Sequence, residues 1–215
     1  MDGPGEPETA ALPVAGDLAG IYDDFASTYA DHRDEFDISE VLDDLRRLLP
    51  ATGDLLDLGC GAGEPVAASF LAHGWRVTGV DISDKMLALA AQYAPGMTAI
   101  HADMRDVSLP GESLDAVTAV YSLFHVPCSD HPALFARIRQ WLRPGGLVMF
   151  TYATRSYTGR DRFEGTISFM GRDLFYSHTT PAELMQQLTA ADLTVIEARD
   201  RLIGGETFLW VTARR

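Results

Sequence analysis

Apolar and polar positions along this chain follow two periods in turn. Short, nearly continuous apolar runs at residues 55–58, 75–80, 97–101, 114–126, 147–152, 193–198 and 208–213 read as strands, most of them buried on both faces. Between them, residues 64–73, 84–93, 130–141 and 180–191 carry apolar positions at helical spacing. Punctuation agrees: Pro65 falls in a first helical turn, Thr179 or Thr180 caps the helix at 180, and Arg143-Pro144-Gly145-Gly146 closes the helix before the fifth strand. Strand and helix in alternation predict an α/β fold, a mainly parallel sheet with helices on both faces.

Two helices are predicted ahead of the sheet. Tyr22, Phe25, Ala26 and Tyr29 recur at helical spacing over 21–33, and Ser39 reads as the cap of a helix over 39–49 that Pro50 stops. Residues 1–17, rich in Gly, Pro, Ala and acids, read as a loose tail, so the expected domain is 18–215 with a helical lid at 18–50. One segment breaks the alternation. Residues 153–179 far exceed an ordinary connection of about 2–6 residues, and strand-like stretches at 166–170 and 174–177 around Gly171-Arg172 predict an inserted hairpin beside the substrate mouth. Such a hairpin forms a wall or lid, or alternatively a structural flap or dimer contact.

The chemistry begins at LLDLGCGAG, residues 55–63, with Asp81 eighteen positions after its last glycine. A strand that empties into a glycine turn lets backbone approach a ligand, and an acid ending the next strand can grip a ribose diol. The turn has Gly59, Gly61 and Gly63 with Glu64 at once behind, and Asp57 lies two residues before the first glycine. Those carboxylates repel a pyrophosphate and welcome a cationic ligand, which favours S-adenosylmethionine over a dinucleotide.

Further stations follow in order: HADM at 101–104, LDAVTAVYSLFHV at 114–126 and LRPGGLVMF at 142–150. With these, residues 20–215 resemble the class I S-adenosylmethionine-dependent methyltransferases, and FMGRDLFYSHTT at 169–180 with GGETFLWVTAR at 204–214 resembles a subgroup of small bacterial members. The resemblance implies a Rossmann-like seven-stranded sheet with an antiparallel last strand. It also implies cofactor roles: Gly59 and Gly61 give room at the methionine end, Asp57 holds the amino group through water, and Asp81 accepts both ribose hydroxyls. Ile82 and Met86 sandwich the adenine, Asp103 accepts from its amino group, and the Met104 backbone serves a ring nitrogen. Tyr22 and Tyr29, in YDDFASTYA, match a lid segment in which tyrosine covers the cofactor; an amphipathic stripe packed on the sheet has the same spacing.

Methyl transfer needs alignment and exclusion of water, and a base only where the acceptor keeps its proton. His125, ending the fourth strand, and His178, ending the inserted hairpin, are the candidate catalytic residues, with a capped loop and a hairpin anchor as their structural alternatives. Tyr121 is expected at the cofactor, and it joins Phe124, Tyr152 and Tyr176 as expected pocket walls. The histidines show no metal spacing, so no metal is expected, and no GxSxG or Walker motif is present.

Composition narrows the partners. The formal charge of −14, from 31 acidic and 17 basic side chains, disfavours nucleic acid and anionic membrane. Two cysteines make no disulfide framework, no export signal opens the chain, and no apolar run nears the ~20 residues of a membrane span, so a cytoplasmic monomer or homodimer is expected. The leading reading is a methyltransferase acting on O, N or C of a small molecule, secondary metabolites included, with S-adenosylhomocysteine as product. A non-methylating S-adenosylmethionine binder, including cyclase-like reuse of the cofactor, and a nicotinamide-dependent oxidoreductase are the alternatives.

Overall fold

The structure, a computed structural model, describes residues 15–28 and 36–215. Helices α1 (Ala15–Phe25) and α2 (Ser39–Arg47) precede β1 (Asp54–Leu58), α3 (Val66–Ala72), β2 (Arg76–Asp81), α4 (Asp84–Tyr93), β3 (Thr98–His101) and β4 (Leu114–Ala119). Then come α5 (His131–Trp141), β5 (Leu142–Tyr152), the short α6 (Arg155–Thr158), the hairpin β6 (Phe163–Phe169) and β7 (Arg172–His178), α7 (Pro181–Ala190), β8 (Thr194–Ile203) and β9 (Glu206–Arg214). Seven strands form one sheet in the order β3-β2-β1-β4-β5-β9-β8, and β6 and β7 pair apart from it. Strands β1 to β5 run parallel, and β9 runs antiparallel to both β5 and β8.

The period of two places successive side chains on opposite faces. Leu56 and Leu58 join Phe135 and Trp141 of α5 and Leu184 of α7 on one side. Leu55 and Val77 join Leu42 and Leu45 of α2 and Phe70 of α3 on the other. Fully burying a side chain of this size contributes about 1.5–3 kcal/mol, and both faces are covered, which is why the central strands read as unbroken apolar runs.

Several boundaries differ from the sequence reading, each for a local reason. Ser39 does not cap α2: Ile38 holds the cap position, and the Asp37 carboxylate, a stronger acceptor than a hydroxyl, takes the Ser39 amide at 2.9 Å and its hydroxyl as well. Pro65 stands at the cap of α3, one residue outside the helix. At α7 Thr180 is the cap, in a reciprocal box with Glu183. β5 starts at Leu142 and runs through Pro144 and Gly145, where its pairing with β4 is irregular. The inserted hairpin is longer than expected, and Phe169 pairs with Arg172. Its turn therefore lies at Met170 and Gly171, both at positive φ (50° and 76°), the geometry that suits strand twist. β8 runs on to Ile203, past the expected end at 198, because Glu197, Arg199 and Arg201 charge a sheet edge and hide its strand pattern.

The expected tail at 1–17 falls mostly outside the described residues, and α1 begins at Ala15, ahead of the expected 18. The far end of the predicted helix over 21–33, including Tyr29, also lies outside them. Among the described residues no helix is long and apolar enough to cross a membrane.

Candidate active site

A cleft of about 970 Å³ opens at the carboxyl ends of β1, β2 and β4, roofed by α1 and the β6–β7 hairpin. It sits where the strand order reverses between β1 and β4, the place where open parallel sheets leave a crevice.

Its first half is built from the glycine turn and the ends of β2 and β3. Gly59 and Gly61 both have positive φ, 72° and 52°, yet their surroundings differ. A Cβ on Gly59 would lie 2.3 Å from Cβ of Ser122, whereas one on Gly61 meets no heavy atom within 4 Å. Gly59 thus lets the turn pack on the loop after β4, and Gly61 faces open cleft. The turn is pinned to β2 by the Gly59 and Cys60 amides, which donate to the Val80 carbonyl at 2.7 and 3.0 Å.

Asp81 is held by two amides, Gly61 to Oδ2 at 2.8 Å and Ser83 to Oδ1 at 2.9 Å. Each oxygen keeps acceptor capacity for a ligand hydroxyl. Burial raises its carboxyl above the usual range, against the pull of these amides. Ile82, Met86, Asp103 and Met104 line the same half. Asp103 is gripped by Arg105 through Nε and Nη2, and Arg105 reaches on to Asp130 at 3.0 Å. Burial pushes the Asp103 carboxyl up, but Arg105 outweighs it and holds the group below the usual range.

Asp57 does not line the cleft. It lies behind the turn, 3% exposed, accepting from Thr118 Oγ1 at 2.7 Å, and burial pushes its carboxyl up to about 7.

The second half is aromatic. Phe124 is stacked between Tyr176 and Phe208, with ring centroids 4.9 and 5.0 Å away and interplanar angles of 8° and 14°. Tyr121, at φ 53°, donates its amide to Thr151 Oγ1 at 2.6 Å and turns its ring edge-on to Phe208 and Trp210. That left-handed backbone is uncommon for a bulky residue and fixes where the ring points.

His125 lies between a carbonyl and a phenol: Nδ1 is 2.6 Å from the Phe175 carbonyl oxygen and Nε2 is 2.8 Å from the Tyr22 hydroxyl. A carbonyl only accepts, so Nδ1 carries the proton and Nε2 accepts from Tyr22. Burial lowers the imidazole to about 4 despite the opposing Phe175 carbonyl, so the ring is neutral at physiological pH.

Three consecutive residues of α1 fasten it to three neighbours. Tyr22 bonds His125, Asp23 accepts from Ser83 Oγ at 2.6 Å and the Lys85 amide at 3.2 Å, and Asp24 pairs with Arg172 of the hairpin at 2.6 Å. The cofactor-side helix α4 and the hairpin are therefore linked through one turn of α1.

Besides Asp57, two expected site residues stand away from the cleft. His178 is 1% exposed and does not line the cleft; its Nε2 meets Thr158 Oγ1 at 2.7 Å and its Nδ1 the Thr179 carbonyl at 3.0 Å, so it anchors the hairpin base. Tyr152 points into the sheet face under α5 and takes the Thr179 amide at 2.9 Å, a core position away from the cleft. Conversely, Glu206 and Phe208 line the cleft and escaped the sequence reading. Their signal was present: an antiparallel last strand begins at the edge where its parallel neighbours end, so the lone acid opening ETFLWVTAR had to stand at the cleft. Among the described residues no cluster of His, Cys, Asp and Glu is placed to hold a metal ion.

A family model described as a methyltransferase domain matches residues 55–146. Nocamycin O-methyltransferase of Saccharothrix syringae is 39% identical over 118 residues, 49% of this chain and 41% of that protein. Phosphoethanolamine N-methyltransferase 1 of Arabidopsis thaliana is 32% identical over 155 residues, 68% of this chain and 30% of that protein. The chain thus spans less than half the length of either relative. A crystal structure of an S-adenosylmethionine-dependent methyltransferase from Mesorhizobium loti superimposes with a TM-score of 0.66 at 26% identity, covering 80% of this chain and 96% of that one.

Proposed function

We propose that this chain, which belongs to the class I S-adenosylmethionine-dependent methyltransferases, moves the methyl group of that cofactor to an oxygen, nitrogen or carbon of a small-molecule acceptor, secondary metabolites included. The observation that carries the reading is one continuous cleft whose first half suits a phosphate-free, cationic nucleoside and whose second half suits an apolar organic body. The donor set fits the cofactor. Asp81 offers two oxygens with acceptor capacity to a ribose diol, Gly61 leaves open space, and Ile82 and Met86 offer an apolar slot to an adenine whose amino group suits Asp103. Glu64, Asp81 and Asp103 line this half with carboxylates, which repels the pyrophosphate of a nicotinamide dinucleotide.

When bound, S-adenosylmethionine supplies a methyl group carried on a positively charged sulfur. The chain's part is to hold the acceptor in line, exclude water and take the proton. Tyr22 and His125 form the proton path: an acceptor hydroxyl passes its proton to Tyr22 Oη as the tyrosine proton moves to His125 Nε2. An imidazole lowered to about 4 is a weak base, and a weak base suffices because an oxygen that has gained a methyl group holds its proton feebly. Tyr121, Phe124 and Tyr176 wall the acceptor.

We read residues 18–215 as one domain, a monomer or homodimer in the cytoplasm, and the charge of −14 as unsuited to nucleic acid partners. The test is turnover by the purified chain with labelled S-adenosylmethionine across a panel of phenols, amines and activated carbon acids. Release of S-adenosylhomocysteine tied to methylation of an acceptor supports the reading. Binding of S-adenosylhomocysteine with no turnover on any acceptor points to a non-methylating binder, and binding of NADH in its place points to an oxidoreductase; either overturns it.

A further inference from the structure

Glu206 has no part in the chemistry above, yet its surroundings are specific. It opens β9 directly after Gly204-Gly205, and its side chain lines the cleft. One oxygen, Oε1, accepts from the Tyr157 hydroxyl at 3.1 Å, and Tyr157 in turn meets the Tyr176 hydroxyl at 3.3 Å. No Lys, Arg or His among the described residues pairs with the carboxylate. The basic side chains lining the cleft are committed elsewhere: Arg172 serves Asp24 at 2.6 Å, Arg105 serves Asp103 and Asp130, and His125 is held neutral between Tyr22 and the Phe175 carbonyl. Burial raises the Glu206 carboxyl, the response of an acid that lacks a counter-charge.

A half-buried carboxylate without a cation, set among aromatic rings, is the arrangement that welcomes an organic ammonium. The carboxylate supplies the charge, and the apolar rings packed around it lower the local dielectric and strengthen the attraction. Its place separates it from the nucleoside site. β9 lies three strands from β1, roughly 14 Å away at about 4.8 Å per strand. Glu206 bonds to Tyr157, whose ring packs on Tyr176 and Phe208, and Tyr121 packs on Phe208 in turn, all in the acceptor half.

Resting on the methyltransferase reading, we propose that Glu206 is a specificity-determining residue and that the acceptor carries a protonated amine on an apolar, flat body. The amine is the anchor. A protonated nitrogen has no lone pair to attack with, so the methylated atom is a different one, at the Tyr22–His125 end of the same molecule. The Phe124–Tyr176–Phe208 stack supplies the apolar contact between the two ends.

The experiment uses three matched phenols that differ at one end: tyramine, the neutral alcohol tyrosol and the anionic para-hydroxyphenylacetate. Each is titrated calorimetrically into the full chain saturated with S-adenosylhomocysteine, in the wild type, Glu206→Gln and Glu206→Asp. Tyramine is expected to bind the wild type about tenfold or more tighter than tyrosol, with the anion weakest. Glu206→Gln should erase that preference and leave S-adenosylhomocysteine affinity within about twofold, while Glu206→Asp, which keeps the charge, should retain the preference. Equal or better binding of tyrosol or the anion overturns the proposal, as does a preference that survives Glu206→Gln. A chain that binds S-adenosylhomocysteine but none of the three probes overturns it too. An equal loss of S-adenosylhomocysteine in Glu206→Gln would assign the carboxylate to the cofactor and overturn it as well. Failure of the wild type to bind S-adenosylhomocysteine defeats the methyltransferase reading itself, and this inference with it.

Discussion

The two halves of the cleft are assembled in different ways. The nucleoside half is made of short stretches at successive strand ends, where residues close in sequence or on paired strands face one another: Asp81 holds the amides of Ser83 and Gly61, and Asp103 holds Arg105. The acceptor half joins elements far apart in the chain. Tyr22 meets His125 across 103 residues, Asp24 meets Arg172 across 148, and Tyr157 meets Glu206 across 49. The first half is a motif and the second is a product of topology, so they should fail separately when changed.

The largest effect is expected at the joint between the halves. Gly59→Ala places a methyl 2.3 Å from Ser122 Cβ on a backbone at φ 72°, which should cost about 3–5 kcal/mol of stability from overpacking and left-handed strain together. Gly61→Ala meets open space at φ 52°, so it should cost only about 1–2 kcal/mol while crowding the ligand. Thermal unfolding of both variants checks the difference, and equal losses would remove the distinction drawn between the two glycines.

Next, Tyr22→Phe should lower kcat on a hydroxyl acceptor by about 100-fold, the usual yield of a placed proton acceptor, with S-adenosylhomocysteine affinity unchanged. A matching loss of cofactor affinity would move Tyr22 to the other half of the cleft.

The smallest effect depends on pH. Asp57 is raised from an ordinary 3.8 to about 7, so the folded protein keeps this proton where the unfolded chain loses it, and stability falls as pH rises between those values. His125 is lowered from 6.5 to about 4, so its contribution runs the other way: stability is lost as pH falls from 6.5 towards 4. The two slopes oppose one another in the wild type. Asp57→Asn should gain on the order of 2 kcal/mol at pH ~8 and nothing at pH ~4, so urea unfolding of the variant should show the acid-side loss from His125 uncovered. A pH profile parallel to the wild type would contradict the Asp57 assignment, and a variant with no acid-side loss would contradict that of His125.

What the sequence made legible follows the same division. The α/β order, the glycine turn and the acids at Asp81 and Asp103 are local signals, and the structure brings Gly59, Gly61, Asp81, Ile82, Met86, Asp103 and Met104 to one cleft. Asp57 belongs to the same motif, but strand alternation turns it behind the turn towards Thr118. In the acceptor half, Tyr22, Tyr121, Phe124, His125 and Tyr176 line the cleft, whereas His178 and Tyr152 do not. A strand end fixes which edge of the sheet a residue reaches but not which face its side chain takes, and a shift of one position reverses the face. Glu206 was missed although an antiparallel last strand was expected, because its place follows only when the direction of that strand is combined with the edge at which the parallel strands end.

The central claim, that the first half alone holds the cofactor through Asp81, is tested most directly by calorimetric titration of S-adenosylhomocysteine into the wild type and Asp81→Ala. Two hydrogen bonds to a charged acceptor are worth about 3–6 kcal/mol, so the substitution should weaken binding at least about 100-fold while the variant stays folded. Binding within a few-fold of the wild type would contradict the account and return the ligand of this cleft to an open question.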